Sequence, residues 1–143
     1  MQTSKGDGRD LTIITVEGEL VAGDEKRFAD AAIGADNAIV MLSSPGGSII
    51  AGIEIGKAIR LKGFRTLVPE GFQCASACAL AWLAGIPRFM GAGATVGFHA
   101  AFTTDNGQPN GQPTASSVAN AQVGAYLNQL GLPASSIAYI TEP

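Results

Sequence analysis

Ser76 and His99, the latter the only histidine of the chain, stand 23 residues apart. A serine hydroxyl with an imidazole to take its proton is a nucleophile and base for acyl transfer, provided that backbone N–H groups are at hand for the oxyanion. Ser76 lies in Phe72-Gln73-Cys74-Ala75-Ser76-Ala77-Cys78-Ala79-Leu80, among residues of little side-chain bulk. The apolar strand Arg65-Thr66-Leu67-Val68 runs toward it, and helix formers from Ala77 to Ala84 leave it. The serine is therefore expected at a strand-to-helix corner, the shape of a nucleophile elbow, with the next backbone N–H pointing where an oxyanion forms. A small-residue corner also serves simply to pack a helix on a sheet. On local sequence alone the helix-cap reading of Ser76 is favoured.

Two further stretches bear on that choice. Ser43-Ser44-Pro45-Gly46-Gly47-Ser48 follows the apolar run Ala38 to Leu42 and precedes a helical pattern. Pro45 fixes one φ angle, and the paired glycines permit backbone conformations closed to other residues. Such a loop can offer bare N–H groups to a ligand oxygen, or can be a plain turn before a helix. Thr95-Val96-Gly97-Phe98-His99 places the histidine at the end of a strand. With the loop and the histidine added, the nucleophile reading of Ser76 is favoured over the cap.

Ser-Pro-Gly-Gly-Ser, then Cys-Ala-Ser-Ala-Cys, then Gly-Phe-His, in this order and spacing, resembles the proteolytic subunit of Clp protease and its relatives in the Clp/crotonase superfamily. It is most similar to the Clp-like serine proteases placed outside the bacterial cytoplasm, and the likeness runs from about Gly18 to Phe102. The resemblance implies an α/β fold of stacked ββα units around a mostly parallel sheet. It implies serine endopeptidase activity without a cofactor, with Ser76 as nucleophile and His99 as base. Taken alone, a histidine in an apolar strand is more often a satisfied core residue; the family position favours the base. By the same resemblance the N–H groups of Gly47 and Ala77 form the oxyanion hole, and Ser48 and Ile49 pair with the backbone of an extended substrate. Peptide or protein substrates, self-association into a homo-oligomer and a periplasmic or membrane-anchored location, with any anchor outside this sequence, belong to the same expectation.

A third triad member is harder to place. The family carries an aspartate on a later helix, whereas the acids after His99 are Asp105, in a polar loop, and Glu142, near the family position at the last turn. Glu142, an acid beyond Pro143, and a Ser–His dyad oriented by a backbone carbonyl or water are all open. Loss of the orienting acid costs roughly 10⁴-fold in serine proteases. Signal peptide peptidases of the same superfamily use a Ser–Lys pair, which directs attention to Lys57 and Lys62; both read more simply as solvated.

Bulk properties agree with one globular α/β domain over residues 1–143. The chain is 46% hydrophobic and 15% charged, ample for a core and poor for disorder. A net charge of −3 with no basic patch argues against nucleic acid. Cys74 and Cys78 with one distant histidine make an incomplete metal site. The two cysteines read as buried free thiols, the simpler case, or as a disulfide across the corner in an oxidising compartment. The polar start shows no signal peptide, so a piece of a longer, exported or anchored protein is expected.

In order, residues 1–9 are expected to fray and Leu11 to Leu20 to form a strand. A helix capped at Gly23-Asp24 should run to Ile33, followed by a buried strand from Asn37 to Leu42. Ser48 should cap a helix to Lys62, with Gly63 ending it, and Phe64 to Val68 should be the next strand. After the Ser76 helix come an extended Pro87 to Met90, a strand from Thr95 to Phe102 carrying His99, and a polar loop over 103–115. Helices from Ser116 or Ser117 to Leu130 and from Ala134 to Ile140 close the chain. Alternating strands and helices imply right-handed crossovers and a parallel sheet. Two other functional classes fit such a fold: a crotonase-like acyl-thioester enzyme, and an inactive homologue that binds peptides or serves in assembly.

Overall fold

The computed structural model describes residues 1–5, 10–99, 102–104, 113–115 and 117–141. Two compact units divide the chain, Met1–Gly97 and Phe98–Pro143.

In the first unit a five-stranded sheet has the order β1-β2-β3-β4-β6. Its strands are β1 (Gln2–Lys5), β2 (Thr12–Glu17), β3 (Ala38–Ser43), β4 (Arg65–Val68) and β6 (Arg88–Met90). Only β1 is antiparallel to its neighbour; the pairs β2–β3, β3–β4 and β4–β6 are parallel. Residues 2–5, expected to fray, instead pair along β2 from Gln2↔Thr15 to Lys5↔Thr12. Polar side chains hid this strand, because an exposed edge strand needs no apolar face.

Between the strands lie α1 (Asp24–Ile33), α2 (Ile49–Lys62) and α3 (Ala77–Trp82). Gly23 and Gly34 flank α1 as expected. The Ser48 hydroxyl caps α2 by accepting from the Ala51 N–H at 3.1 Å, and Gly63 ends it in a left-handed conformation. Ala51, Ile53, Ile55 and Ile59 of α2 are buried, with Ile14, Val16, Phe28, Val40, Leu42 and Val68. This apolar layer between helices and sheet is the main source of stability. At Gly52, α2 packs onto α3: a Cβ there would lie 2.9 Å from the Ala77 Cβ and nearer still to the Ala77 carbonyl oxygen.

A second, two-stranded sheet carries the centre of interest. It pairs β5 (Gln73–Ala75) with β7 (Thr95–Gly97) in parallel register, Ala75 opposite Gly97. The strand that enters the Ser76 corner is thus β5, not Arg65–Val68. Three residues are too few for an alternation to show, which is why the sequence pattern pointed to the longer apolar run upstream.

The second unit contains β8 (Phe102–Thr104) and β9 (Pro113–Ala115), paired antiparallel, then α4 (Ser117–Gln129) and α5 (Ala134–Thr141). The strand expected from Thr95 to Phe102 therefore stops at Gly97, leaving His99 beyond its end. The two ends of the expected polar loop form a hairpin. Helices α4 and α5 meet closely at Gly124, where a Cβ would lie 3.8 Å from Ile137 Cγ2, and Val123, Tyr126, Leu127 and Ile140 are buried.

Candidate active site

Ser76 joins β5 directly to α3. Its backbone has φ 57° and ψ −119°, and it is the one non-glycine at positive φ among the described residues. That is the first-corner geometry of a type II′ turn, which glycine normally occupies. Holding another residue there costs on the order of 1–3 kcal/mol. The turn is gripped on three sides by backbone hydrogen bonds. The Ser76 N–H donates to the Gly97 carbonyl at 2.8 Å, the Ala75 N–H to the Ser44 carbonyl at 3.0 Å, and the Leu80 N–H to the Ser76 carbonyl at 3.2 Å.

The Ser76 side chain is not spent on the helix. At the N-cap of α3 it makes no capping bond, so the cap reading does not describe this serine. The residue is half-buried, and its hydroxyl makes no hydrogen bond to another described residue of its unit.

The Ser44–Gly47 loop lies against this turn. A Cβ on Gly46 would sit 2.8 Å from both the Ser76 Cβ and the Ala75 carbonyl oxygen, and 3.4 Å from the Ser76 Oγ. Only glycine allows so close an approach, and its φ of 109° restricts it further. The buried Ser44 hydroxyl accepts from the Gly46 N–H at 3.0 Å. The Gly46 carbonyl accepts from the Leu20 N–H, and the Leu20 carbonyl from the Ser48 N–H, both at 2.8 Å. A parallel bridge to Leu20 thus anchors the loop, and Gly47 must be glycine because a Cβ would overlap the Leu20 carbonyl oxygen.

This pattern leaves specific backbone groups over. Residues of an extended chain turn their N–H and C=O alternately to either side. Gly46 and Ser48 face Leu20, so the N–H of Gly47 turns away from it; the N–H of Ile49, at the first position of α2, has no intrahelical acceptor, and neither group has an acceptor among the described residues. The Ala77 N–H, at the first position of α3, has no intrahelical acceptor by construction. The expectation for substrate pairing thereby shifts. Both backbone groups of Ser48 are engaged, its N–H with Leu20 and its carbonyl with the Gly52 N–H at 3.0 Å. Gly47 and Ile49 carry the open edge. Sequence reading missed Leu20, Ser44 and Gly52; the last was visible only as a small residue inside a helical pattern.

Cys74 and Cys78 are joined in a disulfide, Cα to Cα 5.2 Å, rather than standing as free thiols. Both are 0% exposed. Lys57 pairs with Glu54 at 3.3 Å, and Lys62 lies over the Phe64 ring at 5.8 Å from its centre. His99 is exposed and belongs to the second unit. Asp105 and Glu142 lie outside the described residues. Among the described residues no cluster of three or more His, Cys, Asp or Glu could hold a metal.

These features sit in an α/β fold built on a mostly parallel sheet. The sequence matches no family model and no curated protein, but solved structures resemble it. A serine-to-alanine variant of the 1510-N membrane-bound stomatin-specific protease superposes with a TM-score of 0.73 at 19% identity, over 90% of this chain and 68% of that one. A lysine-to-alanine variant of the same protease, in complex with a substrate peptide, gives 0.68 at 20% identity over 90% and 64%. The ClpP protease catalytic domain from Plasmodium falciparum gives 0.65 at 15% identity over 90% and 72%. The second of these comparisons spans less than two thirds of the solved chain. The shared fold is that of Clp-like proteases, as the motifs led us to expect.

Proposed function

We propose that this chain is a serine endopeptidase acting on peptide or protein substrates, with Ser76 as nucleophile and His99 as general base. The observation that carries the reading is the Ser76 backbone, a strained non-glycine turn between strand and helix whose hydroxyl is not used as a cap. Strain of this kind persists where the surroundings over-determine it, and it concentrates at sites of function.

In this reading Ser76 Oγ attacks the scissile carbonyl while His99 takes its proton. The carbonyl oxygen becomes an oxyanion held by the N–H groups of Gly47 and Ala77, and the start of α3 adds a partial positive charge. The intermediate expels the amine, which receives the proton from His99, and water then releases the acyl group by the same steps reversed. A substrate strand laid along the loop finds open backbone at Gly47 and Ile49. Glu142, or a backbone carbonyl or water in its place, would orient the imidazole.

The peptide complex of a fold neighbour supports a peptide ligand. The buried disulfide supports a compartment outside the reducing cytoplasm, in line with a periplasmic or anchored location. Self-association belongs to the same reading; Leu61 and Ile33 in one unit and Val118 and Tyr139 in the other are exposed apolar groups available to it.

The test is labelling with a fluorophosphonate probe followed by mapping of the modified residue. Modification of Ser76 in the wild type, and none in Ser76→Ala, is the expected result. Labelling that persists in pure Ser76→Ala sinks the assignment.

A further inference from the structure

We propose that the Cys74–Cys78 disulfide is a positioning device for the nucleophile: it replaces the helix cap that Ser76 does not supply and holds the serine at positive φ. The inference rests on the reading of Ser76 as the attacking residue.

Helix α3 is only six residues long, and its N-cap side chain makes no bond to the first turn. Beyond the Leu80 N–H bond to the Ser76 carbonyl and the packing of α2 on Ala77, a helix so short and uncapped has little of its own to keep its first turn wound. Yet the turn must stay wound, because the peptide from Ser76 to Ala77 carries both the serine and an oxyanion donor. An ordinary chain would use the serine hydroxyl as the cap. A nucleophile needs that hydroxyl free for its base and substrate. The disulfide resolves the conflict: it ties the middle of β5 to the second residue of α3, four positions apart, and encloses Ser76 between its two ends.

A purely stabilising role fits less well. A cross-link over so few residues restricts the unfolded chain less than one closing a long loop. The surrounding core is already filled, with Ala77, Ala79, Ala81 and Ala84 all buried. What the ring does constrain is the set of dihedral angles between its ends, and the one strained residue lies there. Without the bridge, Ser76 can relax toward negative φ by unwinding the first turn, which swings its hydroxyl and the Ala77 N–H apart.

The experiment compares oxidised wild type, wild type reduced by a dithiol, and the double variant Cys74→Ala/Cys78→Ala. In the reduction two electrons and two protons pass from the dithiol, which closes to its own disulfide, to the two cysteines. Fluorophosphonate labelling is followed over a range of probe concentrations, with melting monitored by circular dichroism. The expected result is a fall of about tenfold to a hundredfold in the limiting rate of bond formation, the size of effect that release of a strained turn produces. The concentration giving half that rate should stay unchanged, and melting should drop by no more than about 6 °C. Folded double variant and reduced wild type labelling at the oxidised rate overturn the proposal. So does a double variant that fails to fold, since the bridge would then hold the fold rather than the turn. Absence of labelling in oxidised wild type is a separate outcome, which removes the nucleophile assignment and this inference with it.

Discussion

Replacing Gly46 by alanine tests the grip of the loop on Ser76. Two penalties combine at this position. The φ of 109° is one that alanine rarely adopts, at a cost on the order of 1–3 kcal/mol. The new methyl would also meet the Ala75 carbonyl oxygen and the Ser76 Cβ, each 2.8 Å away. Neither can swing aside as a long side chain would, so relief requires backbone movement, at about 1–3 kcal/mol more. If both fall on stability, the loss is about 2–6 kcal/mol out of the 5–15 typical of a domain. If instead the Ser76 turn yields, the loss appears in reactivity, and a displacement of about 1 Å costs on the order of 10²-fold. Gly63→Ala is the matched control, because Gly63 has φ 68° and open space where its Cβ would go. It should lose only about 1–2 kcal/mol, or about 3–6 °C, and label with fluorophosphonate as the wild type does. Gly46→Ala should melt at or below the control and label at least about a hundredfold more slowly. A Gly46→Ala protein that labels at the control's rate would refute the reasoning, since the loop would then not define the position of Ser76.

The strain at Ser76 can also be read from the other direction. Ser76→Gly relieves about 1–3 kcal/mol of backbone strain against about 0.5–1 kcal/mol of added chain entropy, so the inactive protein should melt no lower than wild type by calorimetry. Gly52→Val drives a branched side chain into Ala77, and thermal melting should show a loss of at least about 1–3 kcal/mol. Because Ala77 carries a proposed oxyanion donor, labelling of any Gly52→Val protein that folds should slow as well.

Much of the scaffold was legible because local signals and tertiary structure agree. Gly23, Gly34, Ser48, Gly63 and Gly131 sit where the sequence placed helix ends, each with a conformation or a bond that explains it. The buried strand β3 and the α2 pattern were legible for the same reason: a parallel sheet covered by helices writes apolar residues on both elements. What was illegible depends on pairing between distant segments. β1 reads as polar chain until its edge position is known, and β5 takes its strand character from Ser44 on one side and β7 on the other. The stop of β7 at Gly97 carries no sequence signal, since Phe98 and His99 suit a strand as well as what precedes them. The motif residues of the site could be named, but not which backbone groups remain open. That depends on Leu20, whose two bonds to Gly46 and Ser48 turn one side of the loop inward.

The hydrogen-bond arrangement carries the functional argument further than the motifs do. Among the described residues no buried side-chain nitrogen or oxygen lacks a partner, as is general in folded proteins. Against that background, four groups near Ser76 have no partner among the described residues of its unit: its own hydroxyl, the Gly47 and Ile49 N–H groups, and the N–H of Ala77. Ala77 is 0% exposed, and an unpaired buried donor costs about 1–3 kcal/mol. A cap at Ser76 would have been the simple way to satisfy the start of α3, and serine is a preferred residue for it. The chain instead keeps the serine in a strained turn, ties the helix start by a covalent bridge and leaves the donors open. Stability alone does not account for the strained turn or the open donors. The acyl-transfer site proposed above, which needs an unencumbered hydroxyl beside unpaired N–H groups, would account for them.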